Sequence, residues 1–249
     1  MAASKPTQPR WWPGPLKETE DGRRARAVRI LGLLKRQYPD AHVPLVYKTP
    51  LELMIATILS AQCTDKRVNE VTKPLFRKYR KAADWAAVDQ QTLEEEIRPT
   101  GFFHNKARAI RTTTAELVEK YDGRVPDTLE ELTALRGIGR KTANVILGHA
   151  YDTQGIVVDT HYIRNARRMA LTGEFDPVKI EFATMRFLPE KYWSDFSLWM
   201  TWHGRFICPA RKPACSECPV RKLCPAGESG GELAWRVKTP PRPERKRPA

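Results

Sequence analysis

The sequence has no run of apolar residues approaching the roughly 18 that a membrane-spanning helix needs. Its first residues, MAASKPTQPRWWPGPL, contain no continuous apolar core of the kind found in secretory signals. Strand-like alternation is also scarce, and the short segment GIVVD (155–159) is the best strand candidate. No internal repeat is present. These absences predict a mainly helical protein of the cytoplasm.

Acidic residues are in the minority. The 249 residues include 43 Lys and Arg against 29 Asp and Glu, which gives a formal net charge of +14. An excess of this size is typical of proteins that bind polyanions, of which DNA and RNA are the commonest. General surface basicity is the alternative, because charge alone does not identify a binding face.

The spacing of apolar residues predicts an all-α protein of about ten helices with short connections. The predicted helices are 23–38, 50–61, 66–79, 90–98, 105–121, 128–135, 140–151, 159–171, 177–187 and 189–206. Pro74 should bend or interrupt the third of them. Residues 1–22 are rich in Pro, Lys and Arg and predict a flexible basic arm, and residues 226–249 predict a disordered basic tail.

The segment LRGIGRKTAN (135–144) has two glycines one residue apart, followed by Lys141. A P-loop would need glycines where Leu135 and Arg140 stand, and a dinucleotide-binding loop would need one in place of Thr142. What remains is a helix, a tight turn and a second helix, whose first N–H groups and positive dipole end can hold a DNA phosphate. A plain corner between two helices is the alternative.

This segment resembles the helix-hairpin-helix of the endonuclease III family of DNA glycosylases. VDTHYIRNARR (158–168) and LSAQCTDKRVN (59–69) are similar to two further motifs of that family, and the spacing of the last four cysteines is similar to a fourth. The resemblance extends from about residue 23 to 225. It implies an all-α protein with two helical lobes, a helical barrel domain with the helix-hairpin-helix and an iron–sulfur cluster domain, with the active site in the cleft.

The resemblance also implies where the lobes begin and end. Residues 43–154 would form the central helical domain with the helix-hairpin-helix. Residues 23–42 and 155–225 would form the second lobe, which combines the N-terminal helix, the C-terminal helices and the cluster loop.

By the same resemblance, the expected activity is that of a bifunctional DNA glycosylase and abasic-site lyase of base excision repair. Lys141 matches the family's nucleophile, which forms a Schiff base with the sugar and allows strand cleavage 3′ to the site by β-elimination. Asp159 matches the catalytic carboxylate. An ordinary surface lysine and a helix-capping aspartate are the alternatives.

The expected substrates are oxidised pyrimidines in double-stranded DNA. The adenine-specific relatives of this family typically lack the lysine and carry a glutamate on the helix that corresponds to residues 50–61. Here the nearest matching positions are Ala56 and Thr57, and Lys141 is present.

Two residues match positions that open the duplex in the family. Gln62 would enter the gap left by the target base, and Phe102, in the segment GFF, would act as a wedge. A buried core aromatic is the alternative for Phe102. The remaining expected DNA contacts come from the hairpin and from the cysteine loop: Arg136, Gly137, Ile138, Gly139, Arg140, Thr142, Arg211 and Lys212.

Four of the five cysteines lie close together: Cys208, Cys215, Cys218 and Cys224. Zinc sites usually contain two tight pairs, whereas this pattern has one, so the spacing alone only modestly favours a [4Fe–4S] cluster. His203 leaves a zinc site open. The family resemblance favours the [4Fe–4S] cluster, which would order a basic loop against DNA. Cys63 is expected to be a buried apolar residue.

Two alternatives belong to other functional classes. A paralogue of the same fold would be monofunctional or would act mainly on abasic sites. A non-catalytic iron–sulfur regulator would bind DNA without releasing a base. In each case we expect a nucleoid-associated monomer.

Overall fold

A computed structural model describes residues 17–228. Within this range every regular element is a helix, so the all-α prediction is confirmed. Three short 3-10 turns, 98–100, 190–192 and 221–223, accompany twelve α-helices. The α-helices are α1 (Glu20–Gln37), α2 (Pro50–Leu59), α3 (Asp65–Lys78), α4 (Ala82–Ala87), α5 (Gln90–Ile97), α6 (Phe103–Tyr121), α7 (Leu129–Ala134), α8 (Arg140–Ala150), α9 (Thr160–Arg168), α10 (Pro177–Met185), α11 (Trp193–Phe206) and α12 (Pro225–Glu228).

Capping side chains explain where most of these helices begin. The hydroxyl of Thr49 accepts a hydrogen bond from the amide of Glu52, and Pro50 occupies the first turn of α2. Thr128 and Glu131 bond to each other at the start of α7, as their spacing predicts. The start of α1 was placed too late, because Thr19 caps that helix and residues 20–22 are helical rather than part of an arm.

Helix α3 continues through Pro74 and is therefore not interrupted there, and a bend at Pro74 stays a prediction. Three other predictions were wrong in detail. Residues 155–159 form no strand, since no second extended segment within residues 17–228 pairs with them. The predicted tail begins too early, because residues 225–228 are helical. Helix α4 was not predicted, and its Trp85 is buried. Residues 1–16 and 229–249, which carry most of the predicted arm and tail, lie outside the described residues.

The chain divides into two compact units. One is His42–Gly155, and among the described residues the other combines 17–41 with 156–228. Each unit has its own apolar core. In the unit 42–155, the core is centred on α2, whose Leu53, Met54, Ile55 and Ala56 are fully buried.

The second unit packs α1 and α9 against α11. Its core includes Ile30 and Leu34 of α1, Tyr162 of α9, and Phe196 and Met200 of α11, all fully buried. Among residues 17–228 no helix combines the length and the apolar character needed to cross a membrane.

Candidate functional site

The glycine turn lies between α7 and α8 and requires a glycine at its first position. Gly137 has φ +90°, which side chains with a Cβ rarely adopt. A Cβ at this position would also lie 3.2 Å from Oγ1 of Thr113 and 3.3 Å from Cβ of Ala109 on α6. The turn therefore packs closely against α6, and it can do so because glycine has no side chain.

Two polar residues of α6 hold the turn from the buried side. Oε2 of Glu116 accepts a hydrogen bond of 2.9 Å from the amide of Arg136, and Oε1 lies 3.2 Å from Arg136 Nε. The hydroxyl of Thr113 donates to the carbonyl of Arg136. Sequence reasoning missed both residues, although Thr113, Glu116 and Leu117 share the buried face of α6. A glutamate within that apolar pattern was the available signal.

The other side of the turn faces solvent. A Cβ on Gly139 would meet nothing within 4 Å, and the Arg136 side chain is 80% exposed. Ile138 points the opposite way and is only 5% exposed, because its side chain belongs to the core. Of the predicted DNA contacts in the hairpin, a contact from Ile138 can therefore involve only its backbone.

Lys141 lies in the first turn of α8, directly after Arg140, and its side chain is exposed. Thr142 follows it and is partly buried. The positive end of the α8 dipole and the exposed amines and guanidiniums of this turn form a surface suited to an anion.

Gln62 and Phe102 share an unusual backbone conformation in the unit 42–155. Both have φ near the left-handed value, 55° for Gln62 and 51° for Phe102, although neither is glycine. Both side chains are exposed, and that of Phe102 is 61% exposed, so the buried-core alternative for Phe102 is wrong. Non-glycine residues in this region store about 1–2 kcal/mol of strain and cluster at functional sites.

One oxygen of the Asp159 carboxylate caps α9, and the other oxygen contacts a hydroxyl group. Oδ1 accepts a hydrogen bond of 2.7 Å from the amide of Tyr162. Oδ2 lies 3.3 Å from the hydroxyl of Thr201 on α11, which sequence reasoning did not identify. Asp159 is therefore a helix-capping residue, as the alternative held. The cap fixes the orientation of the side chain, which is still only partly buried.

His161 is held in a neutral state beside Asp159. Its Nδ1 lies 3.0 Å from Nη2 of Arg164, and burial lowers the pKa of His161, although the negative charge of Asp159 opposes this effect. Arg164 also donates to the carbonyl oxygens of Gly204 and Cys208. These contacts give His161 a structural role in orienting Arg164.

The four clustered cysteines line one pocket of the second unit, together with Arg168 and His203. Burial raises the pKa of the Cys215 thiol, that of Cys218 to about 11 and that of Cys224 to about 12. A cation is therefore needed to convert these thiols to thiolates at neutral pH. Within residues 17–228 no three His, Cys, Asp or Glu side chains lie close enough to share a single metal ion.

Positive charge borders this pocket. Arg168 is 3% exposed, and its guanidinium donates 3.0 Å to Sγ of Cys208 as well as to the carbonyls of Pro209 and Ala210. Desolvation lowers the pKa of His203 to about 4, so its imidazole stays neutral. Its Nδ1 forms a hydrogen bond with the hydroxyl of Tyr38, and its Nε2 lies 3.5 Å from Cys218 Sγ. The donor set and the nearby arginine suit an anionic group held by four thiolates.

The remaining predicted residues are placed as follows. Arg211 and Lys212 are exposed in the loop between Cys208 and Cys215, and Lys212 has φ 51°. Cys63 is partly buried and packs against the core of the unit 42–155. Cys63 is therefore less buried than predicted, and the DNA contacts of Arg211 and Lys212 stay a prediction.

Comparison with known proteins places this arrangement in context. A family model described as the HhH-GPD superfamily of base excision DNA repair proteins matches residues 55–190. Endonuclease III of Synechocystis sp. is 48% identical over 208 residues, which cover 83% of this chain and 95% of that protein. Endonuclease III of Bacillus subtilis is 41% identical over 192 residues, covering 77% and 88%.

Two solved structures are similar in both sequence and fold. A non-covalent Endonuclease III–DNA complex has a TM-score of 0.79 and 40% identity, and the match covers 84% of this chain and 98% of that one. A trapped Endonuclease III–DNA covalent intermediate with an estranged adenine has a TM-score of 0.80 with the same identity and coverage.

Proposed function

The chain belongs to the HhH-GPD superfamily of base excision DNA repair proteins and, within it, to the endonuclease III family, and on this premise we propose that it is a bifunctional DNA glycosylase and abasic-site lyase. The observation that carries the proposal is Lys141, an exposed amine in the first turn of α8 beside a solvent-facing glycine turn. The covalent DNA intermediate trapped for a relative of 40% identity supports the same assignment.

Lys141 is the proposed nucleophile. The neutral amine attacks C1′ of the damaged nucleotide, a C1′–N bond forms, and the glycosidic bond breaks with its electron pair leaving on the base. The nitrogen then loses a proton and forms a C=N bond as the C1′–O4′ bond breaks, with the electron pair and a proton going to O4′. The resulting iminium acidifies the C2′ protons. Removal of one such proton expels the 3′ phosphate and cuts the strand by β-elimination.

Asp159 is the proposed carboxylate of the reaction. Its negative charge stabilises the positive charge that develops at the sugar, and it can assist proton transfer. The hydrogen bonds from the Tyr162 amide and the Thr201 hydroxyl fix its orientation before substrate arrives. Such pre-orientation removes a reorganisation cost from the chemical step.

Double-stranded DNA is the proposed partner, with oxidised pyrimidines as the target bases. Gly139 and the amides of the first turn of α8 would hold a backbone phosphate, with Arg136 supplying charge. Gln62 and Phe102 would fill the space that the extruded nucleotide leaves. Position 56 is a fully buried alanine, and Thr57 donates its hydroxyl to the carbonyl of Leu53, so neither supplies the carboxylate of the adenine-specific relatives.

A [4Fe–4S] cluster is the proposed cofactor, held by Cys208, Cys215, Cys218 and Cys224. The common pocket of these residues and the guanidinium of Arg168 on Cys208 support this assignment. When bound, the cluster would cross-link the loop 208–224 and so fix Arg211 and Lys212 for contact with phosphates. The chemistry at the damaged nucleotide would belong to the protein side chains.

The test measures base release and strand cleavage on matched duplexes that contain thymine glycol, an abasic site or adenine opposite 8-oxoguanine. We expect the wild type to process the first two and not the third. Lys141→Ala should lose at least about a thousandfold in rate, because the nucleophile is absent. Lys73→Ala, which removes another exposed lysine of the same unit, should act as the wild type does.

The alternatives predict different results. A monofunctional paralogue would release the base without cutting the strand. A paralogue specialised for abasic sites would leave thymine glycol in place. A regulator would bind all three duplexes without reacting.

A further inference from the structure

Lys106 is a buried lysine that the proposed chemistry does not use. It lies in the first turns of α6 and is 4% exposed. Its Nζ donates two hydrogen bonds of 2.8 Å, one to the carbonyl oxygen of Leu59 and one to that of Thr100. Within residues 17–228 its ammonium forms no salt bridge with a carboxylate, and burial lowers the pKa of Lys106.

The carbonyl of Leu59 lies three residues before Gln62, and that of Thr100 lies two residues before Phe102. Leu59 is the last residue of α2, and its carbonyl is one of those that a helix end leaves without a helical partner. Gln62 follows at φ 55°. Thr100 ends the 3-10 turn 98–100, after which Gly101 has φ 69° and Phe102 has φ 51°. The ammonium of Lys106 therefore links the chain just before the Gln62 loop to the chain just before the Phe102 loop.

The loops need such a tie because their conformation is strained. A left-handed non-glycine residue persists only where its surroundings over-determine it. The amide of Lys106 also donates 3.1 Å to the carbonyl of Phe102, so backbone and side chain of this residue hold the same loop.

We propose that Lys106 is a positioning residue which sets the spacing of the Gln62 loop and the Phe102 loop, so that both side chains enter the opened duplex together. The inference rests on the proposed function, because it assigns these loops to opening of the base pair. Lys106 itself touches neither DNA nor the reacting atoms.

A merely structural role would call for a different residue. Burying an ammonium without a counter-ion is costly, and an apolar side chain of the same volume would fill the space without that cost. What the amine adds is two directed hydrogen bonds to backbone atoms that lie 41 positions apart in the sequence, at Leu59 and Thr100. Errors of about 1 Å in such positioning can reduce rates by about a hundredfold.

The test compares Lys106→Met with the wild type on two duplexes that carry the same thymine glycol. In one duplex the lesion is paired with adenine, and in the other it lies opposite a tetrahydrofuran residue, which has no base to hold. We expect at least about a tenfold loss of kcat on the paired lesion and less than about twofold on the unpaired one. Adding Lys106→Met to Gln62→Ala should cost little more than Gln62→Ala alone, because both act on one step.

Thr114→Val is the matched control. Thr114 is fully buried on the same helix, and its hydroxyl donates only to Ile110 and Arg111 of that helix. It should leave the ratio of the two rates unchanged. If Lys106→Met gives no folded protein, Lys106→Gln enters the same assays. Its amide nitrogen ends one bond short of the lysine ammonium and cannot hold both carbonyls at their present spacing, so it should show selectivity in the same direction.

The outcomes separate the inference from the proposed function. A wild type that releases no base from either duplex overturns the proposed function and the inference with it. A wild type that is active, with Lys106→Met reduced equally on both duplexes or additive with Gln62→Ala, overturns the inference alone.

Discussion

Alanine substitutions at the two glycines of the turn should have opposite consequences. Gly137 has φ +90° and would place a Cβ 3.2 Å from Thr113 Oγ1 and 3.3 Å from Ala109 Cβ. Gly139, with φ −90°, would place a Cβ in open space. The first position is thus constrained by the protein interior and the second only by what approaches from solvent.

The magnitudes follow from these geometries. For Gly137→Ala, a left-handed alanine costs about 1–2 kcal/mol and the tight contacts with α6 add to this, so we expect a loss of about 2–3 kcal/mol in the free energy of unfolding. This corresponds to a fall of about 4–12 °C in Tm for a chain of this size. For Gly139→Ala, the entropic gain and the weaker helix cap nearly cancel, so we expect a change within about 0.5 kcal/mol.

For DNA binding, the informative variant is Gly139→Ala, because its stability should stay close to that of the wild type. Gly139→Ala keeps its fold but sets a methyl group on the surface where a phosphate would approach the amides of α8, so affinity for duplex DNA should fall at least about tenfold. The assays are urea or thermal unfolding and fluorescence anisotropy with an abasic-analogue duplex at fixed salt. Equal stability of the two variants would refute the assigned packing of the turn. Wild-type DNA affinity of Gly139→Ala would refute the phosphate contact proposed at the amides of α8.

Further expectations concern the wedge, the second unit and the cofactor. Phe102→Ala should leave Tm within about 2 °C of the wild type, since the ring is 61% exposed, yet weaken base release from a paired lesion. Gly204→Ala should destabilise the protein by about 1–3 kcal/mol, because its Cβ would lie 2.7 Å from Cβ of His161. Gly32→Ala, which meets only the flexible Arg36 side chain at 3.8 Å, should not destabilise it, and thermal melts of both variants measure the difference. Because the pKa of His161 is lowered on folding, the stability linked to it is present above the unfolded value of about 6.5 and is lost as the pH falls through the folded value. Melts from pH 7 to 5 should accordingly show a shallower acid slope for His161→Gln. Cys218→Ser should abolish the brown colour and iron content expected of the purified protein, and colourless wild-type protein with stoichiometric zinc would contradict the cluster.

Local sequence chemistry predicted the helical elements well. Capping pairs such as Thr128 with Glu131, and prolines such as Pro50 and Pro99, act over a few residues and set helix ends directly. Where tertiary packing decides, the sequence is less informative. Helix α4 with its buried Trp85 was not predicted, and the sequence does not show that the Ile138 side chain turns inward although the motif around it faces solvent.

The candidate site was predicted only in part for the same reason. Motif positions can be read from the sequence, and these include Lys141, Asp159 and the four clustered cysteines. The residues that hold those positions act across long sequence separations, such as Glu116 on Arg136, Thr201 on Asp159 and Lys106 on Leu59. A glutamate within an apolar helical pattern, as at Glu116, indicates that a buried partner exists, but only the fold shows which distant residue that partner is.

The central claim is that Lys141 forms a covalent bond with the sugar of the damaged nucleotide. Borohydride reduction during reaction with a thymine glycol duplex, followed by proteolysis and mass spectrometry, locates that bond directly. The account predicts one DNA adduct, attached to Lys141, which is absent from Lys141→Ala and present in Lys73→Ala. No adduct under conditions of complete base release, or an adduct on another residue that persists in Lys141→Ala, would contradict it.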